Sequence, residues 1–274
     1  MARHLLSTAP VRLPALPHSG GFLTLHESFD LAAANGKELG GAVWPAAALM
    51  CRWLGEEVDA IAGARVLELG CGTGACGLYA AALGAQTVTL TDGGGPELLQ
   101  LVRKNVEANR DRLADDTHVE VETLAWGDLG DSCLAAGGEY DFVLAADVLY
   151  GLSPPEAEQV AVTDAVERCE ALASTMEALL LCAPGSSTSA DGSDASPRRP
   201  PRIVVAHEYR NRELSGPMPW DTGDAVLEYF VGAAARRGLS VTQICSERPR
   251  VLSQDGDEYV WSADLVLVQV TGAV

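Results

Sequence analysis

From Arg65 onward, short β-branched runs alternate with stretches of helical periodicity, the pattern of parallel strands joined by crossover helices. Arg65 to Leu69 reads as a first strand. Ala75 to Leu83 follows as a helix ended by Gly84, Thr87 to Thr91 as a second strand, and Pro96 to Arg110 as a helix with proline in its first turn. His118 to Leu124 alternates as a third strand. Tyr140 to Ala146 is almost wholly apolar, as a central parallel strand buried on both faces would be. Pro155 to Leu181 is long, Ala-rich and helical in pattern, and Ile203 to Ala206 gives a fifth strand. Asp221 or Thr222 is placed to cap a helix that closes with Arg236, Arg237 and Gly238. The last two apolar runs, Ser240 to Cys245 and Asp264 to Val270, have no helix between them, which predicts an antiparallel hairpin with a long loop.

These elements predict an α/β fold: a Rossmann-like, seven-stranded, mostly parallel sheet with the last strand antiparallel and helices on both faces. A chain of 274 residues, 47% of them hydrophobic, suffices for one sizeable core and is short for two. Residues 1–40 are therefore expected to form an N-terminal extension and residues 41–274 one domain. Ala183 to Pro201, almost wholly Ser, Gly, Ala, Asp, Pro and Arg, reads as a flexible insertion within it. The extension carries Arg3 and Arg12 but no acidic residue before Glu27, which leaves room for a transit segment. The prolines and glycines between Pro14 and Gly21 argue against the long amphipathic helix that role requires.

Charge and cysteine usage narrow the setting. Asp and Glu number 38 against 19 Lys and Arg, a formal charge of -19, which disfavours a protein built to grip phosphate backbones and suits a basic partner. No apolar run reaches the roughly 18 uncharged residues of a membrane span, since Ala42 to Leu54 is interrupted by Pro45 and Arg52. The seven cysteines are scattered and never spaced C-x-x-C, so neither a disulfide framework nor a metal site is indicated. A monomer in the reducing cytoplasm is the expectation.

The strongest local signal follows the first strand: Glu68-Leu69-Gly70-Cys71-Gly72-Thr73-Gly74. It stands where an open α/β sheet presents ligands, beyond the carboxyl ends of its strands. The glycine spacing departs from G-x-G-x-x-G, because Ala75 occupies the third position, and no Gly-Lys-Ser/Thr of a phosphate loop follows. Glu68 would sit poorly beside a pyrophosphate but well beside a ligand with an ammonium and a sulfonium, as S-adenosylmethionine has. Asp92, about twenty residues on, ends the second strand where a carboxylate can take both ribose hydroxyls. The plainer alternative is a glycine turn for close helix packing, with Asp92 a turn residue.

Further motifs make the chain resemble the protein-lysine methyltransferases of the DxxY group. They are Val43-Trp44-Pro45-Ala46-Ala47, Val66 to Gly74 with Gly77, Thr91-Asp92, Asn105-Val106-Glu107-Ala108-Asn109, Leu124-Ala125-Trp126-Gly127 and Ala145-Ala146-Asp147-Val148-Leu149-Tyr150. His207-Glu208-Tyr209-Arg210 and Glu228-Tyr229-Phe230 extend the likeness. The resemblance implies that Trp44 and Trp126 wall the cofactor and that Gly70 and Gly72 underlie its methionine part. By the same resemblance Asp92 holds the ribose, Ala146 lies beside the adenine or methionine moiety, and Asp147 and Tyr150 form the rim of the acceptor site. Leu124-Ala125-Trp126 departs from the family in lacking a charged residue before the tryptophan, and the 183–201 insertion is longer than usual.

The implied reaction is methyl transfer to a lysine side chain of a protein. It needs no covalent nucleophile, only an amine held in line, dry and unprotonated. Asp147 would orient the ammonium, and Tyr150 would give an aromatic wall and a hydroxyl. Against these stand plainer roles: a turn cap for Asp147, a packed ring for Tyr150, core indoles for Trp44 and Trp126, and a structural His207. In the charged run from Glu208 to Glu213 only Arg210 is a candidate for function. Transfer to a small molecule, or to protein arginine or histidine, is the alternative chemistry. A regulatory protein that binds S-adenosylmethionine without transfer is the alternative class.

Overall fold

The computed structural model describes residues 13–28, 40–127, 139–150, 159–181, 199–209, 224–247, 250–252, 258–260 and 264–272. Helices α1 (Pro45–Glu56) and α2 (Val58–Ile61) lead into strand β1 (Arg65–Leu69). Then come α3 (Ala75–Ala82), β2 (Thr87–Asp92), α4 (Pro96–Ala108), β3 (His118–Thr123) and β4 (Phe142–Ala146). The second half adds α5 (Gln159–Leu181), β5 (Arg202–Glu208), α6 (Ala225–Arg236), β6 (Leu239–Glu247), β7 (Arg250–Leu252), β8 (Glu258–Val260) and β9 (Leu265–Gly272).

Seven strands form one sheet in the order β3-β2-β1-β4-β5-β9-β6. The first five are mutually parallel, and β9 runs antiparallel between β5 and β6, as the two closing runs predict. The loop of that hairpin carries a feature the sequence does not announce, the antiparallel ribbon β7–β8. Order reverses at β1, which has β2 on one side and β4 on the other. A crevice beyond the carboxyl ends of those strands is where such sheets bind ligands.

Each face of the sheet buries its own core. Val66, Val88, Leu90, Leu144 and Val204 turn toward α1, α3 and α4, joined by Met50, Leu54, Tyr79 and Val102. Leu67, Leu69, Val143, Ile203 and Val205 turn the other way and meet Leu172, Met176 and Phe230 of α5 and α6. β1 and β4 are therefore covered on both sides, which explains why Phe142 to Ala145 is continuously apolar. α1 was not legible from periodicity: residues 45–51 are all buried, so no polar stripe marks its outer face.

Two further differences are physical. α6 is capped by Asp224, whose Oδ1 accepts the amides of Val226 at 3.1 Å and Leu227 at 3.0 Å, rather than by Asp221 or Thr222. Those two residues, and Arg210 to Glu213, lie outside the described residues, as do 1–12 and 182–198 of the extension and insertion. The cap falls on Asp224 because it is the last polar residue before the apolar run Ala225-Val226-Leu227. Residues 13–28 form no helix; Leu13 and Leu16 are buried, and the Tyr79 hydroxyl donates to the Ala15 carbonyl at 3.0 Å. Among the described residues no helix is long and apolar enough to cross a membrane, and no group of metal-ligating side chains converges.

Candidate active site

β1 ends at Leu69 and the chain turns through Gly70, Gly72 and Gly74 at φ of 66°, 52° and 80°, a region that favours glycine. Space as well as dihedral demands it at two of them. A Cβ on Gly70 would lie 2.9 Å from both the Trp126 ring and Val148, and one on Gly72 would lie 2.9 Å from the Gly40 carbonyl oxygen. Gly74 is the N-cap of α3.

Asp92, at the end of β2, fastens this loop. Its Oδ2 accepts the Gly72 amide at 2.9 Å and its Oδ1 accepts the Gly94 amide at 2.8 Å. The carboxylate thus ties the loop after β1 to the loop after β2. The residue is only half-buried, and a carboxylate oxygen can accept more than one hydrogen, so its exposed side suits hydroxyl donors. These observations suit a ligand with two vicinal hydroxyls, and the side-chain-free glycine surface suits a chain lying close against the backbone.

Glu68 takes a place other than the one expected beside a ligand's cation. It is 2% exposed, faces α3, and accepts the Gly77 amide at 2.8 Å through Oε2. Alternation along β1 is the reason: Glu68 shares the face of Val66, which α1 and α3 cover, so its carboxylate caps amides in the first turn of α3. Burial pushes its pKa up to about 7, against the opposing pull of the Gly77 and Cys76 hydrogen bonds.

β4 delivers the second half of the site. Asp147, directly after Ala146, has φ 58°, the only positive value at a non-glycine residue among those described. Its amide donates to the Ala206 carbonyl at 2.8 Å, which carries the β4–β5 ladder one residue beyond the strand and fixes the turn. Such a conformation costs a non-glycine residue on the order of 1 kcal/mol, and strain of this kind concentrates at functional sites. Val148 and Leu149 then plug into the core, and Tyr150 is half-buried with the Arg168 guanidinium 4.5 Å above its ring centroid. The Tyr150 hydroxyl titrates above its ordinary range, chiefly through burial; Arg168 opposes the shift, and the charges of Asp92 and Asp147 add to it. Arg168, Asp92 and Asp147 are therefore each within electrostatic reach of Tyr150.

The glycine loop, Asp92, Trp126, Asp147 and Tyr150 are thus gathered at the carboxyl ends of β1, β2 and β4. Ala146 is half-buried beside Ala206 at the same end, and Trp44 stands half-buried at the N-terminus of α1. His207 is not a pocket residue: it is 1% exposed, and its Nε2 lies 3.2 Å from Oδ2 of the α6 cap Asp224. Motif reading missed Arg168, an isolated cation in a helix, and gave no role to Asn105 and Asn109 of the Asn105-to-Asn109 motif, two buried amides at the C-terminal end of α4. Asparagines four apart on a buried face are a signal that could have found the pair. A shallow depression lined by Gly63, Arg65, Gln86, Thr87, His118 and Asp141 opens at the opposite, amino-terminal end of the strands, away from all of these groups.

Residues 25–155 match the sequence profile described as lysine methyltransferase, and this stretch carries the glycine loop, Asp92, Trp126, Asp147 and Tyr150. Over this stretch the chain is similar to the lysine methyltransferase family. Protein N-lysine methyltransferase METTL21A of Xenopus tropicalis is 41% identical over 118 residues, 42% of this chain and 50% of that one. Protein-lysine N-methyltransferase EFM3 of Chaetomium thermophilum is 30% identical over 242 residues, 86% of this chain and 59% of that one. EEF1A lysine methyltransferase 3 of Xenopus tropicalis is 39% identical over 108 residues, 39% of this chain and 44% of that one. The chain spans about half the length of the curated relatives it matches. The profile begins at residue 25, within the segment the sequence sets apart as an extension.

Proposed function

We propose that this protein is a lysine methyltransferase that transfers a methyl group from S-adenosylmethionine to a lysine side chain of another protein. The observation that carries the reading is the junction of two built elements at the carboxyl ends of the central strands: a glycine loop that Asp92 ties through Oδ2 while its Oδ1 holds the loop after β2, and the left-handed Asp147 that leads into Tyr150. Gly70 and Gly72 would lie under the methionine part of the cofactor, Asp92 would accept its ribose hydroxyls, and Trp44, Trp126 and Ala146 would flank it. When bound, S-adenosylmethionine supplies a methyl carbon already activated by its sulfonium.

The remaining work falls to the chain's own residues. A free lysine has a pKa near ~10.4, so forming its neutral amine at neutral pH costs about 4 to 5 kcal/mol unless the site lowers it. Asp147 attracts the arriving ammonium and sets its direction. The half-buried Tyr150 ring excludes water on one side, and desolvation disfavours the charged amine. The Arg168 cation against Tyr150 adds a positive charge, which also favours the neutral amine. The net charge of -19 supports a basic protein substrate and argues against a nucleic-acid one. A monomer working in the reducing cytoplasm completes the reading, supported by the scattered cysteines.

Calorimetry tests the cofactor and mass spectrometry the transfer. S-adenosylhomocysteine should bind in the micromolar range and NAD should not. Incubation with labelled S-adenosylmethionine and a cell lysate should place label on a lysine of a protein; label confined to small molecules, or to arginine or histidine, would refute the lysine reading.

A further inference from the structure

Asn105 in the last turn of α4 and Asn109 at its C-cap are fully buried, four residues apart, and each carboxamide holds the backbone of a single residue in the 24–28 segment. Asn109 accepts the Thr24 amide at 2.7 Å and donates to the Thr24 carbonyl at 2.8 Å. Asn105 accepts the His26 amide at 2.7 Å and donates to the His26 carbonyl at 3.1 Å. The spacing matches: four residues of helix rise about 6 Å, and two residues of extended chain span roughly 6.6 Å. The two side chains therefore receive the segment as a neighbouring strand would.

Each amide nitrogen has one hydrogen left, and here the two residues differ. Asn109 gives it to the Asn105 carbonyl of its own helix at 2.7 Å, whereas Asn105 gives it to the Thr73 carbonyl inside the glycine loop at 2.9 Å. Beyond His26, the Val43 amide donates to Glu27 Oε1 at 2.7 Å and the Ser28 amide donates to the Gly41 carbonyl at 2.8 Å. The Gly40 carbonyl then lies so close to Gly72 that a Cβ there would meet it at 2.9 Å. The contacts close a ring: glycine loop, Asn105, N-terminal strap, Gly40–Val43 turn, and back to the glycine loop.

We propose that Asn105 is a positioning residue for the cofactor, acting by locking the 24–28 strap and the glycine loop into one unit so that the N-terminal segment is part of the cofactor site. The proposal rests on the reading that the glycine loop binds S-adenosylmethionine. It follows that ligand and strap stabilise each other, since coupling between two sites is reciprocal. A tie serving only to fasten the chain terminus would give Asn105 and Asn109 equal weight.

S-adenosylhomocysteine is the probe. Its affinity should fall tenfold or more in Asn105→Ala and stay within threefold of the parent in Asn109→Ala, each measured by calorimetry below its own melting point. In the unaltered protein, saturating S-adenosylhomocysteine should slow hydrogen exchange of the Thr24 and His26 amides at least tenfold. This second measurement decides the matter if Asn105→Ala fails to fold. Equal losses in the two variants, affinity within threefold in Asn105→Ala, or strap amides that exchange at unchanged rates in the saturated protein would overturn the proposal. Absence of binding heat with the unaltered protein would instead refute the cofactor reading, and the positioning role with it.

Discussion

Replacing Asp92 with alanine perturbs two kinds of contact at once, and they can be separated. In the free protein the carboxylate accepts the Gly72 and Gly94 amides at 2.9 and 2.8 Å, and both glycines are half-buried, so water can partly replace it. Loss of that staple should lower stability by about 1 to 2 kcal/mol, or a few degrees in Tm for a domain of this size. With ligand bound, the same oxygens would accept ribose hydroxyls, and hydrogen bonds to a charged group are worth about 1.5 to 3 kcal/mol. S-adenosylhomocysteine affinity should therefore drop by roughly ten- to 150-fold, since each 1.4 kcal/mol is tenfold. Calorimetry gives the affinity and differential scanning fluorimetry the Tm. An unchanged affinity beside a lowered Tm would refute the reasoning, because it would leave Asp92 as a loop staple only.

Three other substitutions test separate parts of the site. Asp147→Asn keeps the shape of the left-handed turn and removes its charge; it should bind S-adenosylhomocysteine nearly as the parent does yet lose transfer by about ten- to a thousandfold, and full retained turnover would reduce Asp147 to a turn residue. Gly72→Ala places a methyl 2.9 Å from the Gly40 carbonyl at φ 52°, so it should abolish detectable cofactor binding while circular dichroism shows the sheet intact. Glu68 titrates near 7 when folded against about 4.5 when unfolded, so the folded state holds the extra proton in that interval and stability falls as pH rises from 4.5 to 7. The loss is on the order of 3 kcal/mol in urea unfolding, and Glu68→Gln should remove most of that slope; an equal slope in the variant would count against Glu68 as its source.

The sheet was legible because its central strands are covered on both faces, which leaves Val66, Leu67 and Leu69 in β1 and a continuous apolar run at Phe142–Ala146 in β4, with helical patterns between strands. The glycine loop was legible for an equally local reason, since three positive φ values leave few residues but glycine. Sequence alone could not show which way Glu68 faces. Alternation assigns it a side, but only the packed α3 shows that this side is buried rather than open to a ligand. The strap was illegible for a different reason. Thr24 and His26 are ordinary polar residues whose backbone alone is recognised, so nothing in their side chains records the contact. The record sits 79 and 85 residues away, in the amides of Asn105 and Asn109.

The two halves of the site are held at a set distance by the sheet itself. β1 and β4 are parallel neighbours, in register from Val66 with Phe142 to Glu68 with Leu144, so the loops that leave Leu69 and Ala146 start one residue out of step on strands about 4.8 Å apart. The two loops approach closely: Val148, behind Asp147, lies where a Cβ on Gly70 would come within 2.9 Å of it. Gly70 is thus constrained from two directions, by its left-handed φ and by the chain that carries Asp147 and Tyr150. A methyl there could be accommodated only by moving Val148 or Trp126, and Val148 is buried in the second core with little freedom to yield. On the proposed reading, the relative position of methyl donor and amine acceptor would be set by strand register and by the close approach of Gly70 to Val148. In-line transfer loses rate steeply with misplacement, so rigidity between these two loops is what the reaction requires of the fold.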